Sequence, residues 1–235
     1  PVDFIKMMRD SSELPKTSQP STGAFLEVYD RLGKDGYEVV SIHMTGKMSG
    51  TFQSAESAAK MSKTKVTVID SEFISKALSF QVKEAAEMAK QGRSMAEIVQ
   101  RLETVRSHSH LYVMVDTLEN LVKGGRIGKG RAFLGSLLNI KPIASLEGAE
   151  YHPVAKVRSY SQVIKYFVNQ FTENVKGKSI LGVGIVHAEA HELALKVKES
   201  IYELTGFQNI EISYTNSTII THTGEGAVAL MYYYD

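Results

Sequence analysis

Short apolar runs alternate with longer amphipathic segments along most of the chain. Residues 39–42 and 66–69 are runs of strand length, and residues 51–61 between them place small and apolar side chains at helical spacing. A long helix that ends at Gly92 is predicted to follow the second run. Strands that alternate with helices in this way predict an α/β domain with a mostly parallel sheet and flanking helices.

Turn and capping residues mark where the predicted helices begin and end. Pro15 and Pro20 lack backbone N–H donors, so residues 11–21 are predicted to be a loop rather than a continuing helix. Ser94 and Glu97 have the spacing of a capping box, in which each side chain binds a free amide of the other residue. A helix is therefore expected to begin there.

The pattern changes after residue 109, where the strands become closely spaced, as is typical of a mixed or antiparallel sheet. Two α/β domains are therefore expected, an N-terminal one over residues 1–109 and a C-terminal one over residues 110–235. In the second domain, strands are predicted at residues 111–115, 140–146, 151–157, 180–186, 210–212 and 228–234, and helices near residues 131–138, 160–171 and 189–204.

The composition fits a globular protein and argues against several classes of function. Of the 235 residues 43% are hydrophobic, which is enough to form a core. The 27 Lys and Arg nearly balance the 26 Asp and Glu, so the overall charge does not favour binding to nucleic acid. Cysteine is absent, which excludes thiol catalysis and iron–sulfur clusters. The most apolar stretch, residues 180–186, is shorter than the roughly 18 residues that span a bilayer. Without a leader-like start, the chain is expected to be cytoplasmic.

Two hydroxyl-rich loops are candidates for binding an anion. Residues 16–21 lead into a helix that Ser21 is predicted to cap, and residues 45–51 connect a strand to a helix, where open α/β sheets bind ligands. Ser49 does not form a nucleophile elbow, because its neighbouring glycines lack the Gly-x-Ser-x-Gly spacing. Both loops are also compatible with ordinary helix caps that bind no ligand.

Residues 123–131 combine basic side chains with glycines. They do not match a phosphate-binding Walker loop, because only three residues separate Gly124 from Gly128 and Gly130 stands where a hydroxyl should bind magnesium. The cluster, with Arg126 as its main candidate, is compatible with binding an acidic partner or a phosphate and equally with a solvated turn.

The histidines raise the question of a metal site. His187 and His191 are four residues apart, but His187 is predicted to end a strand, so the two are not expected to form a metal-binding pair on one helix face. His222 lies among threonines and glycines, where an imidazole can donate to an anion, although an ordinary turn histidine fits as well. No metal and no cofactor are predicted.

The order of these motifs resembles that of the DegV family. The resemblance covers essentially the whole chain and is carried by residues 17–21, 41–55, 68–71, 115–119, 123–127, 134–143, 156–158 and 221–224. It implies a two-domain α/β protein with one long-chain fatty acid bound between the domains.

The resemblance further implies that the chain is similar to the fatty-acid-binding subunit of bacterial fatty acid kinase. In that scheme a separate kinase subunit brings ATP and phosphorylates the carboxylate of the bound fatty acid, giving an acyl phosphate for phospholipid synthesis. The carrier would not be catalytic, and its contact with a membrane surface would be transient. By motif, Thr17 and Ser49 would hydrogen-bond the carboxylate with His222 close by, and Arg126 and Arg158 would lie near the headgroup or dock the kinase.

The sequence departs from the family pattern in two places, and two other functions are also compatible with it. Family members begin with a strand carrying Asp-Ser-x-x-Asp, which this sequence lacks, and Gly-Pro-Gly is expected after the histidine where Glu225 and Gly226 occur. Dihydroxyacetone kinase has a related fold and holds its substrate covalently through a histidine, so His222 or His43 could trap a carbonyl compound. A lipid-sensing module would bind lipid and act through protein contacts alone.

Overall fold

The computed structural model describes residues 2–129 and 140–235. Backbone contacts divide them into two compact units, here called the small unit (residues 18–107) and the large unit (residues 2–17 and 108–235). The boundary expected after residue 109 lies close to this one, but the N-terminal segment, expected in the first domain, is part of the large unit.

Helices and strands alternate through much of both units. In chain order they are α1 (Val2–Asp10), α2 (Thr22–Lys34), β1 (Val39–His43), α3 (Thr51–Met61), β2 (Val66–Asp70), α4 (Ser75–Lys90), α5 (Met95–Ser107), β3 (Ser109–Met114), α6 (Glu119–Lys123), β4 (Lys141–Glu147), β5 (Glu150–Val157), α7 (Tyr160–Val175), β6 (Ile180–His187), α8 (His191–Thr205), β7 (Ile210–Tyr214), α9 (Ser217–Thr223) and β8 (Val228–Tyr234).

The small unit is built on the parallel pair β1 and β2, which runs in register from Val39 opposite Val66 to His43 opposite Asp70. A buried cluster that includes Ala85 of α4 and Leu102 of α5 packs against partly buried side chains of both strands. Parallel strands are stable only when their faces are covered, so the two helices and the strands depend on one another. This arrangement places the loops after β1 and β2 at the same end of the sheet.

The large unit contains a six-stranded mixed sheet with the order β5-β4-β3-β8-β6-β7. Every neighbouring pair is antiparallel except β6 and β7, which are parallel and connected through α8. Helices α7 and α8 contribute buried side chains to one cluster with β3, β6 and β8. Phe167 and Phe171, one turn apart on α7, are fully buried there, and each such burial stabilises the fold by about 1.5 to 3 kcal/mol.

The N-terminal segment belongs to the large unit because α1 packs against α9. Ile5 of α1 is buried, and Arg9 at the end of the helix forms a bidentate ion pair with Glu225. These contacts join positions more than two hundred residues apart, which periodicity along the chain does not reveal.

The fold class predicted from the sequence is confirmed, with a parallel sheet in the small unit and a mixed sheet in the large one. The strand predicted at residues 180–186 is β6, and the Ser94–Glu97 capping box forms as expected at the start of α5. The helix predicted near residues 131–138 lies outside the described residues.

Candidate functional site

Thr17 and His222 are brought together in the large unit. His222 lies in the last turn of α9, a helix that Asn216 caps by accepting a hydrogen bond from the amide of Ile219. Thr17 lies in the loop that Pro15 and Pro20 keep from forming a helix. Its hydroxyl Oγ1 is 2.8 Å from Nε2 of His222, so two of the predicted headgroup residues form one hydrogen-bonded pair.

The imidazole of His222 is half-buried and favours its neutral form. Burial, followed by the nearby positive charge of Arg126, lowers its pKa. Its second ring nitrogen, Nδ1, is buried and has no hydrogen-bond partner among the described residues. At neutral pH the pair therefore offers neutral hydrogen-bonding groups, and positive charge must come from another side chain.

Arg126 supplies that charge and is positioned by the end of α6. The amide of Gly125 donates to the carbonyl of Val122 and the amide of Arg126 donates to the carbonyl of Leu121, which is the Schellman arrangement. Gly125 adopts the left-handed φ of +69° that this ending requires. The guanidinium of Arg126 then donates to the carbonyl of Gly124 at 2.7 Å, and its charge acts on His222.

Ser49 belongs to the small unit, in the loop between β1 and α3. Its hydroxyl lies 2.8 Å from that of Thr51 and accepts a hydrogen bond from the amide of Thr51 at 3.3 Å. The residue that caps α3 is Gly50, which makes no side-chain capping hydrogen bond, so Ser49 supplies the acceptor for the first amide of the helix. The loop therefore presents hydroxyls beside a helix N-terminus, a setting that favours an anion.

Arg158 is exposed at the turn before α7, and its described hydrogen bond is made by its backbone amide to Oε1 of Gln162. Its side chain forms no ion pair or hydrogen bond within residues 2–129 and 140–235. The structure thus associates Arg126 with the Thr17–His222 pair and does not connect Arg158 with it.

His43, the other histidine considered for covalent chemistry, is held at the end of β1. The hydroxyls of Tyr29 and Ser41 are 2.7 Å apart, and the Ser41 hydroxyl is 2.7 Å from Nε2 of His43. Burial lowers the pKa of His43, while the charge of Asp70 acts in the opposite direction. This nitrogen is occupied by a structural hydrogen bond.

Two residues that place His222 carry no obvious signal in the sequence. The side-chain amide of Asn120 donates to the carbonyl of Thr221 at 3.1 Å, which joins α6 to α9. Gly124 lies against the imidazole so closely that a side chain there would collide with it. The Gly124–Gly125 pair is visible in the sequence as a helix stop, but its contact with a histidine almost one hundred residues away is not.

His187 and His191 lie close together in the large unit. His187 ends β6 and His191 begins α8, as expected, yet their nitrogens Nε2 and Nδ1 lie 3.3 Å apart. The described part of the chain contains no group of three or more His, Asp or Glu placed to hold a metal ion. Within that same part, no helix is long and apolar enough to cross a membrane.

Comparison with known proteins identifies relatives along the whole length of the chain. The family model described as "Uncharacterised protein, DegV family" matches residues 1–235. The chain belongs to the DegV family. A DegV domain-containing protein of Listeria monocytogenes is 42% identical over 236 aligned residues, which cover all of this chain and 84% of the relative.

Solved structures of DegV proteins have the same fold. The DegV protein of Bacillus subtilis, described as a fatty acid binding protein, is 33% identical with a TM-score of 0.88, and the match covers all of this chain and 84% of that one. A DegV family protein of Thermus thermophilus, described by its fatty acid binding, is 28% identical with a TM-score of 0.93. This match also covers all of this chain and 84% of that one. Fatty acid binding is thus a property of structurally similar members of this family.

Proposed function

We propose that this protein binds a long-chain fatty acid and holds its carboxylate with Thr17, His222 and Arg126. The observation that carries the proposal is the 2.8 Å contact between Thr17 and His222 beside the Arg126 charge, in a chain that belongs to the DegV family. The 33% identical DegV of Bacillus subtilis, described as a fatty acid binding protein, supports the ligand class.

The chemistry of these side chains suits a carboxylate. The Thr17 hydroxyl, held by the His222 imidazole, supplies a directional donor, and a guanidinium balances the negative charge. Hydrogen bonds to an ionised acceptor contribute about 1.5 to 3 kcal/mol each, so the headgroup contacts orient the ligand. Burial of the acyl chain, at about 0.8 kcal/mol per methylene, supplies most of the affinity.

Ser49 is proposed as a further donor to the same carboxylate. Its hydroxyl lies beside the N-terminus of α3, where the helix dipole favours negative charge. Arg158, exposed before α7, is assigned to docking a partner rather than to the headgroup. The assignment of Ser49 follows the family motif, whereas the motif leaves Arg158 open between the headgroup and docking, and its exposure favours docking.

The protein is proposed to act as a carrier in the cytoplasm rather than as a catalyst. It would present the fatty acid carboxylate to a separate ATP-dependent kinase subunit, which transfers the phosphoryl group and gives an acyl phosphate. This proposal rests on the family resemblance. The reaction requires charge stabilisation around the phosphoryl group, which an arginine such as Arg126 can provide.

The carbonyl-trapping alternative has less support. A histidine that attacks a carbonyl needs a ring nitrogen with a free lone pair facing the substrate. Nε2 of His222 is 2.8 Å from Thr17 and its Nδ1 is buried, while Nε2 of His43 is bound to Ser41. We therefore favour a non-covalent ligand.

Mass spectrometry of a denatured organic extract of the purified protein tests the ligand class. A near-stoichiometric fatty acid, released without covalent attachment, is the expected result. A mass adduct on a His222 or His43 peptide would support the enzyme alternative. A protein that carries no fatty acid and takes none up on incubation would contradict the carrier proposal.

A further inference from the structure

Gly124 has an ordinary backbone conformation, so its need for glycine is not conformational. Its φ of −78° and ψ of −7° are open to any residue. A Cβ atom at this position would collide with Nδ1 of His222 and would lie 2.9 Å from Cε1 of the same ring and 3.0 Å from the carbonyl oxygen of Asn120. The missing side chain makes room for the imidazole.

The neighbouring glycine shows the opposite requirement. Gly125 has a φ of +69° but open space around the position of its Cβ, so its role is to end α6. Gly124 therefore acts on the side chain of His222, whereas Gly125 acts on the backbone.

The contact also bears on which ring nitrogen of neutral His222 carries the proton. If Nδ1 carried it, a buried N–H would face the Cα of Gly124 without an acceptor, and unpaired buried N–H groups are rarer than unpaired acceptors. If Nε2 carries it, the Nδ1 lone pair meets the weakly polar Cα hydrogens of glycine. The second form is favoured, and its Nε2–H then donates to Oγ1 of Thr17.

We propose that Gly124 is a positioning residue that admits the His222 imidazole, holds it in the Nε2–H form and thereby leaves the Thr17 hydroxyl hydrogen for the ligand. Because Thr17 already accepts from His222, its own O–H must donate outwards. This inference rests on the proposed fatty acid function and sharpens it: the headgroup next to Thr17 must be an acceptor, which an ionised carboxylate is and a protonated fatty amine is not.

The carbonyl of Gly124 extends the same role to a second side chain. It accepts the hydrogen bond from the guanidinium of Arg126 at 2.7 Å. One residue without a side chain thus touches the imidazole and anchors the arginine. A displacement of Gly124 would therefore disturb both His222 and Arg126.

The first test is the nitrogen-15 spectrum of histidine-labelled protein, which distinguishes the two neutral forms of an imidazole and needs no variant. His222 is assigned by comparison with His222→Ala, and the expected spectrum is that of the Nε2–H form. A His222 ring protonated on Nδ1 would overturn the tautomer that the inference requires.

The second test is Gly124→Ala, measured for fatty acid affinity and for the His222 signals. We expect affinity to fall about tenfold, the loss of roughly one charge-assisted hydrogen bond, together with a changed His222 spectrum. Gly177→Ala is the matched control: Gly177 has a φ of +72° with nothing within 4 Å of its Cβ position, so this variant strains a turn without touching His222. Its affinity should be unchanged.

The double variant Gly124→Ala with His222→Ala separates the two proposals. If Gly124 acts through the imidazole, the second substitution adds no loss to that of His222→Ala alone. Wild-type affinity and an unaltered His222 spectrum in Gly124→Ala would overturn the positioning role. A wild-type protein that binds no fatty acid, but in which Gly124→Ala still displaces the Nε2–H signal, would overturn the proposed function and support the role of Gly124 in placing His222.

Discussion

His110 on β3 stacks on Tyr232, its direct partner on β8, with the ring centroids 5.0 Å apart. Nε2 of His110 also lies 3.0 Å from the hydroxyl of Tyr234 on the same strand. Burial, followed by the charge of Lys178, lowers the pKa of His110 to about 4. A neutral imidazole is thus built into the core side of the large sheet.

This histidine makes folding stability depend on pH. In the unfolded chain a histidine has a pKa of about 6.5, so between pH 6.5 and pH 4 the unfolded state binds more protons than the folded state. The contribution of His110 is present in full above pH 6.5 and is lost as the pH falls towards 4, by about 3 kcal/mol in total. Urea unfolding at several pH values measures the slope.

His110→Phe keeps an aromatic ring in the stack and removes the titrating group. We expect the variant to lose less stability than the wild type between pH 6.5 and pH 4. The loss of the Tyr234 hydrogen bond should cost about 1 kcal/mol at pH 7.5, where both proteins have a neutral side chain. Parallel stability curves for the two proteins over the acidic range would show that another group is responsible.

Local pattern predicted most of the described elements, but it missed α9, the helix that carries His222, and the contacts that make the site. Residues 180–186 combine four β-branched side chains with two glycines, which favours a strand over a helix, and β6 spans Ile180–His187 accordingly. The pairing of Thr17 with His222 depends on how α9 and the N-terminal loop meet, and the two residues are 205 positions apart. Neither composition nor periodicity contains that information, and only the family resemblance assigned both residues to one site.

Arg126 and Arg158 have different surroundings in the structure, and the sequence does not predict the difference. In the sequence, Arg126 and Arg158 are both basic residues in predicted turns, and the family motif gives both the same two possible roles. The Schellman ending of α6 directs Arg126 back to the carbonyl of Gly124, near His222, whereas Arg158 precedes an ordinary serine-capped helix and stays exposed. The distinction arises from how each backbone turn ends, which depends on tertiary packing.

Thr17→Val removes the hydroxyl of the site while preserving the shape of the side chain. We expect fatty acid affinity to fall by about 1 to 3 kcal/mol, roughly 5- to 150-fold, because a donor to a charged carboxylate is lost. Fluorescent fatty acid displacement measures the change. Thr17→Ser, which keeps the hydroxyl, is the matched control and should bind nearly as well as the wild type; equal losses in both variants would argue for a packing effect.

Ser49→Ala tests the donor proposed in the small unit. Its expected loss of affinity is again about 1 to 3 kcal/mol if the hydroxyl binds the carboxylate. Ser57→Ala is a suitable control, because Ser57 is exposed on α3, the helix that follows Ser49, and among the described residues its hydroxyl bonds only to the carbonyl of Gln53. Unchanged affinity in Ser49→Ala, measured by the same displacement assay, would remove this residue from the site.

Arg126→Ala separates a headgroup role from a role in the encounter with a kinase. The positive charge of Arg126 lowers the pKa of His222, so its removal should raise that pKa as well as weaken anion binding. If the charge mainly serves phosphoryl transfer, acyl phosphate formation with a cognate kinase and ATP should fall much further than lipid affinity. Arg158→Ala provides the comparison, since its exposed side chain should affect the kinase reaction alone. A loss of lipid affinity as large as the loss of acyl phosphate in Arg126→Ala would place its charge on the carboxylate itself.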